Sequence, residues 1–78
     1  MSSDQIPTLS LANAGGNTST LKSGSFGRIV YRGAVDRRKG TFEVQVEFEG
    51  ASQVTFLVQG DRSVAMHYPV NQQVMLVQ

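Results

Sequence analysis

The stretch "TFEVQVEFE", residues 41–49, constrains this chain more than any other. Phe42, Val44, Val46 and Phe48 face one way, and Glu43, Gln45, Glu47 and Glu49 face the other. Period two sustained over nine residues is the signature of a strand with one dry and one wet face. Such a strand needs partners that present apolar faces of the same handedness. The neighbouring segments supply them. "FGRIVYRGAV", 26–35, offers Ile29, Tyr31 and Val35 on one side and Arg28 and Arg32 on the other. "QVTFLVQ", 53–59, turns Val54, Phe56 and Val58 inward, "VAMHY", 64–68, offers Val64, Met66 and Tyr68, and "QVMLVQ", 73–78, closes the chain as an apolar strand.

Turn-forming clusters separate these runs: "DRRKG", "EGAS", "QGDRS" and "PVNQ". Matching the inward faces predicts the registers. Val35 opposite Phe42 places Tyr31 against Val46, Ile29 against Phe48, and Arg28 against Glu49. In the next hairpin, Phe48 opposite Val54 gives Val46–Phe56 and Val44–Val58. A one-residue slip would expose either apolar set, so each strand's inward face is well specified.

Residues 1–25 differ in kind. They are rich in Ser, Thr, Asn and Gly, and cannot bury enough apolar area to offset their own ordering entropy. Leu9 and Leu11 share one side of an extended "TLSLA" and are available as an additional strand or as anchors. The expected fold is therefore all-β: a small antiparallel barrel or sandwich of five to six strands over 26–78, with an extended N-terminal arm over 1–25. No helix long enough to cover the apolar face is visible, so the sheet must curl on itself or pack on a second layer.

Size and composition narrow the function. At 78 residues the chain buries a small core and is expected to lean on association with other subunits, because it has no cysteine for disulfides or thiolate metal sites. One histidine and scattered acids give no metal-ligand spacing, and no cofactor is implied. Net charge is +1, without the domain-wide basic excess that non-specific nucleic-acid binding normally shows. The first residues lack a basic stretch followed by an apolar run, and no run reaches membrane-spanning length, so a soluble protein without membrane partners is expected.

Four features invite a chemical reading. "GGNTSTLKSGSFG", 15–27, comes within one residue of a phosphate-binding loop, but Leu21 stands where the backbone needs glycine, and neither a preceding strand nor a following helix is expected. "VDRRKG", 35–40, concentrates Arg37, Arg38 and Lys39 at a hairpin tip. The tip is suited to an acidic partner surface or a phosphate backbone, but with no exposed aromatic platform beside it the solvated turn is the favoured reading of the tip by itself. His67 has no nucleophile and carboxylate at catalytic spacing. Glu43, Glu47 and Glu49 read as the wet face of a strand. No catalytic residue is assigned, and an enzyme is not expected.

"GRIVYRG", "FEVQVEFEG", "VTFLVQ" and "PVNQQVMLV" together resemble the TOBE-type β-barrel appended to transporter ATPases, and more loosely an OB or KOW-like SH3 barrel. The resemblance implies a small β-barrel. A binding module of that kind for nucleic acid or a small anion is the alternative expectation, using the 36–40 tip and Arg28 and Arg32. A polar arm on a compact cysteine-free β domain also resembles, in style, the minor capsid, cement and decoration proteins of bacteriophages. The leading expectation is a non-enzymatic assembly protein of that kind, possessing a docking arm anchored by Leu9 and Leu11 and a basic contact at Arg37, Arg38 and Lys39. A virion location would go with it. Nucleic acid is the alternative partner.

Overall fold

The computed structural model describes residues 6–15, 21–48 and 53–78. Five strands, a short 3-10 turn and one short helix follow the order β1 (Thr8–Ser10), the 3-10 turn (Leu11–Asn13), β2 (Phe26–Arg32), β3 (Thr41–Phe48), β4 (Gln53–Gln59), α1 (Arg62–Ala65) and β5 (Gln73–Val77). The sheet runs β1-β5-β2-β3-β4. β2, β3 and β4 form the expected meander. β5 then crosses to the far edge of β2, and β1 lies parallel to β5 with Leu9 opposite Leu76. The sheet is therefore mixed, where an all-antiparallel one was expected.

The strands curl into a nearly closed barrel, and residues 8–15 supply the closing stave. β1 pairs with β5 on one side. A few residues later Ala14 bridges Phe56 of β4, and the Gly15 N–H donates to the Thr55 carbonyl at 2.7 Å. Ser10 ends the strand by turning its hydroxyl back to accept from the Ala12 N–H at 3.2 Å, which starts the 3-10 turn. Consequently the described parts of the expected arm, 6–15 and 21–25, are not free: Leu9 lies in the core of its own chain, Leu11 and Leu21 pack half-buried against it, and the Gly24 N–H donates to the Leu76 carbonyl at 2.7 Å. Residues 1–5 and 16–20, also assigned to the arm, lie outside the described residues, as do 49–52.

The inward face of the meander is the one that alternation predicts. Ile29, Phe42, Val44, Val46, Phe48, Phe56 and Val58 are buried, joined by Leu9, Ala65, Val74 and Leu76. Phe48 and Phe56 meet edge to face at 6.2 Å, an arrangement that adds to what area burial alone contributes. Each fully buried Phe, Ile or Leu contributes roughly 1.5–3 kcal/mol relative to exposure.

The registers depart from expectation, and the departures are physical. β4 sits two residues along from the predicted alignment: Val44 faces Phe56 and Val46 faces Val54, which keeps every apolar side chain inward. Near the β2–β3 turn, the Asp36–Thr41 bridge agrees with Val35 opposite Phe42. Further along, β2 gains extra residues relative to β3. A bulge between Ile29 and Tyr31 moves Ile29 opposite Val46 and Arg28 opposite Glu47, so the predicted Arg28–Glu49 pair is not formed, Glu49 itself lying outside the described residues. The bulge also flips Tyr31 outward, leaving it 49% exposed where an inward side chain was predicted.

The other correction is "VAMHY". Strand periodicity would bury Val64, Met66 and Tyr68, but residues 62–65 are helical and Met66 is 74% exposed. Val64, Ala65 and Tyr68 turn toward the core instead, which is helical spacing. Asp61 decides the matter by capping the helix, its carboxylate accepting from the Ser63 and Val64 N–H groups. Tyr68 then lies 5.8 Å from the Phe42 ring and donates its hydroxyl to the Thr8 carbonyl at 3.0 Å, tying this connection to β1.

Two substitutions test this architecture. Leu9→Ala, at the closing stave, should cost about 2–5 kcal/mol in urea denaturation, and Leu11→Ala distinctly less. Equal effects would contradict the depth difference between them. At Gly27 an added Cβ would lie 2.6 Å from Val46 Cγ1 and 2.7 Å from Phe48 Cε1. Gly27→Ala should therefore cost about 1–3 kcal/mol through overpacking, measured as a lower urea midpoint.

Candidate functional site

The 36–40 turn is a self-contained scaffold. Asp36 accepts through one carboxylate oxygen from the Arg38 N–H at 2.9 Å and the Lys39 N–H at 3.3 Å, while its carbonyl accepts from the Gly40 N–H at 2.7 Å. Gly40 closes the turn at φ +66°, where a side chain is disfavoured, and its carbonyl accepts from the Gly60 N–H at 2.8 Å. That last bond docks the turn against the start of the α1 connection. With the backbone satisfied, the side chains of Arg37, Arg38 and Lys39 are exposed.

Between this turn and α1 lies a cleft of about 700 Å³. Residues 32–35 and Arg37 form one wall, and Asp61, Arg62 and Ser63 together with the Ala65–Met66 step form the other. Three arginines from three parts of the chain converge on it: Arg32 from the end of β2, Arg37 from the turn and Arg62 from the first residue of α1. Arg32 is held in place, donating from Nη1 to the Ala65 carbonyl at 2.9 Å. The same carbonyl also accepts from the Tyr68 N–H at 3.0 Å and lies near the end of the helix, where cations are favoured.

One acid faces the arginines. Asp61 accepts through the same oxygen from the Ser63 hydroxyl at 2.6 Å, the Ser63 N–H at 3.0 Å and the Val64 N–H at 3.3 Å. The Ser63 hydroxyl bond first, then the two N–H bonds, hold its carboxyl below the ordinary 3.8. One carboxylate oxygen is thus committed to the helix cap, and among the described residues the cleft carries three guanidinium groups against this single acid. At the mouth stands Met66, an exposed apolar side chain, and Val35 and Ala65 line the interior.

The structure sorts the sequence candidates. Arg37 lines the cleft, whereas Arg38 and Lys39 of the same run do not. Arg32 joins it and Arg28 does not, since Arg28 faces Glu47 on the outer face of the meander. Leu9 and Leu11 are inside or against the barrel, away from this cleft. Lys22 and Ser23 sit in an exposed turn that leads into β2, so no helix follows the phosphate-loop-like stretch. His67 is exposed in the turn after α1, donating its N–H to the Val64 carbonyl. Arg62 is the residue that sequence reasoning passed over. Its signal was present in "GDRSVA", an aspartate at helix-capping distance ahead of Ser63 and Val64.

Among the described residues no group of three or more His, Cys, Asp or Glu could hold a metal ion, and no helix is long and apolar enough to cross a membrane. Comparison with family models, with curated proteins and with solved structures finds no match to this chain.

Asp61 links the site to stability and to pH. Its depressed carboxyl stabilises the fold at pH values above 3.8, and that contribution is lost as the pH falls through the lower folded-state value. Asp61→Ala should lower the melting temperature at about pH 7, and the gap from the parent protein should narrow at about pH 3. A pH-independent gap in circular-dichroism melts would contradict the capping role.

Proposed function

We propose that this protein is a non-enzymatic docking module of a larger assembly, which holds an acidic protein partner in the cleft between the 36–40 turn and α1. One observation carries the reading: the cleft gathers Arg32, Arg37 and Arg62 from three separate elements around a volume of about 700 Å³. Three exposed guanidinium groups in a concave site raise the local concentration of an anionic partner and set its orientation. Arginine also presents a planar fork matched to carboxylates.

A protein partner fits better than a nucleic acid. Met66 at the mouth and Val35 and Ala65 inside supply apolar contact, and methionine and arginine are both enriched at protein interfaces. The basic surface is local, since net charge is only +1 and Glu43 and Glu47 are exposed on the outer face of the neighbouring strand. Nucleic-acid binding rests on a broad basic field, and this chain has none.

The expected arm contact shifts accordingly. Leu9 and Leu11 serve the barrel's own closure, so the partner contact proposed here is the basic one, led by Arg37, with Arg38 and Lys39 at its rim as electrostatic steering. A small chain without disulfides or described metal clusters gains stability when a partner binds only its folded form.

The test is a titration of a fluorescein-labelled acidic peptide followed by anisotropy. Arg37→Glu combined with Arg62→Glu should weaken binding by at least about tenfold. Equal affinity for the doubly substituted protein would overturn the reading. So would tighter binding of a single-stranded oligonucleotide than of the peptide, which would move the assignment to nucleic acid.

A further inference from the structure

Beyond its charges, the cleft contains an exposed strand edge. Gly33 donates its N–H to the Glu43 carbonyl at 2.8 Å. The Arg32 carbonyl belongs to the same planar peptide as that N–H and so points away from β3, and Ala34, just past the end of β2 at Arg32, lines the cleft. On that side β5 pairs with β2 only from Phe26 to Arg28, and Asn71 and Gln72 extend the contact only as far as Ile29. Past that point, among the described residues, the edge of β2 has no strand neighbour on that side, and α1 lies there instead. Among the described residues, neither Ala34 nor Val35 donates its N–H to any acceptor.

We infer that an extended acidic segment of the partner adds to the sheet at this edge, pairing its backbone with Arg32 and Ala34 while its carboxylates reach Arg37 and Arg62. The inference rests on the acidic-partner reading above and specifies how the partner is held. Strand addition divides the work: main-chain hydrogen bonds supply affinity, and pockets for alternate side chains supply selectivity. Both halves are present here, since Ala34 and Val35, whose N–H groups have no acceptor among the described residues, line one cleft with the arginines. The charge complement selects an acidic strand over an apolar one, and Arg32, tethered to the Ala65 carbonyl, fixes the distance between the edge and the helix wall. The Ala34 N–H, without an acceptor among the described residues, gives the incoming strand a donor that needs no prior opening of the barrel.

The experiment compares two labelled hexapeptides of alternating Glu and Thr: one unmodified, the other N-methylated at alternate residues so that one edge cannot donate. Both methylation phases are made, because either edge of the peptide could face β2. We expect the unmodified peptide to bind, with one methylation phase weakening binding at least about tenfold, and with the Ala34 amide slowed in hydrogen exchange on binding. Ala34→Pro, which removes the N–H, should weaken the peptide similarly, while spectra of residues outside the cleft report that the variant is folded. If both methylated peptides bind as well as the parent and Ala34 exchange is unchanged, strand addition is overturned, and the acidic-partner reading survives on the charge-reversal result. If no acidic peptide binds at all, both fall.

Discussion

The parallel pairing of Leu9 with Leu76, followed within a few residues by the Ala14–Phe56 bridge, is the contact on which the barrel depends. Without that stave, β5 and β4 would both be open edges, and Leu76 and Phe56 would lose a cover on one flank. Open edges are templates for unwanted pairing, and closure is the way a short all-β chain removes them. The N-terminal segment is too polar to hold structure by itself. It is ordered because its backbone completes two ladders at once and Leu9 enters a core already built by the other strands.

The irregularity of β2 connects this closure to the cleft. A strand that pairs with β3 on one side and β5 on the other must bend sharply in so small a barrel, and inserted residues are the usual means of bending it. The bulge between Ile29 and Tyr31 keeps Ile29 inward, turns Tyr31 outward, and carries the end of β2 away from β5. The space so opened is filled on its far side by α1, and what remains between them is the arginine-lined cleft. Site and bend are thus one structural event.

Each wall of the cleft is secured by backbone bonding that leaves the arginines available. Asp36 satisfies the turn, Asp61 satisfies the helix start, and the Gly60-to-Gly40 hydrogen bond joins the two. The acids that flank the arginines in sequence are therefore occupied with N–H groups. Asp36 is not among the residues lining the cleft, and Asp61 is the one acid there set against Arg32, Arg37 and Arg62 among the described residues, which leaves positive charge in excess.

Much of the barrel was legible in advance. Strict alternation in 41–49 assigns Phe42, Val44, Val46 and Phe48 to the core, because a pleated strand has only two faces. The start of β2 at Phe26 and the turn at 36–40 follow from apolar periodicity and turn chemistry. Tyr31 and Met66 were misplaced, since a period-two pattern looks the same whether or not a bulge or a single helical turn interrupts it. Arg62 was missed for the same reason, because a segment read as turn and strand carries no helix wall. What the residues determined by themselves was which side chains go inside, an outcome of local periodicity and the cost of exposing apolar area. What only the tertiary structure decided was which strands become neighbours, that residues 8–15 close the sheet, and that Arg62 joins Arg32 and Arg37 at one cleft. Those depend on how a bent strand and a closing edge share the limited surface of a small core, a global constraint that no short stretch of sequence contains.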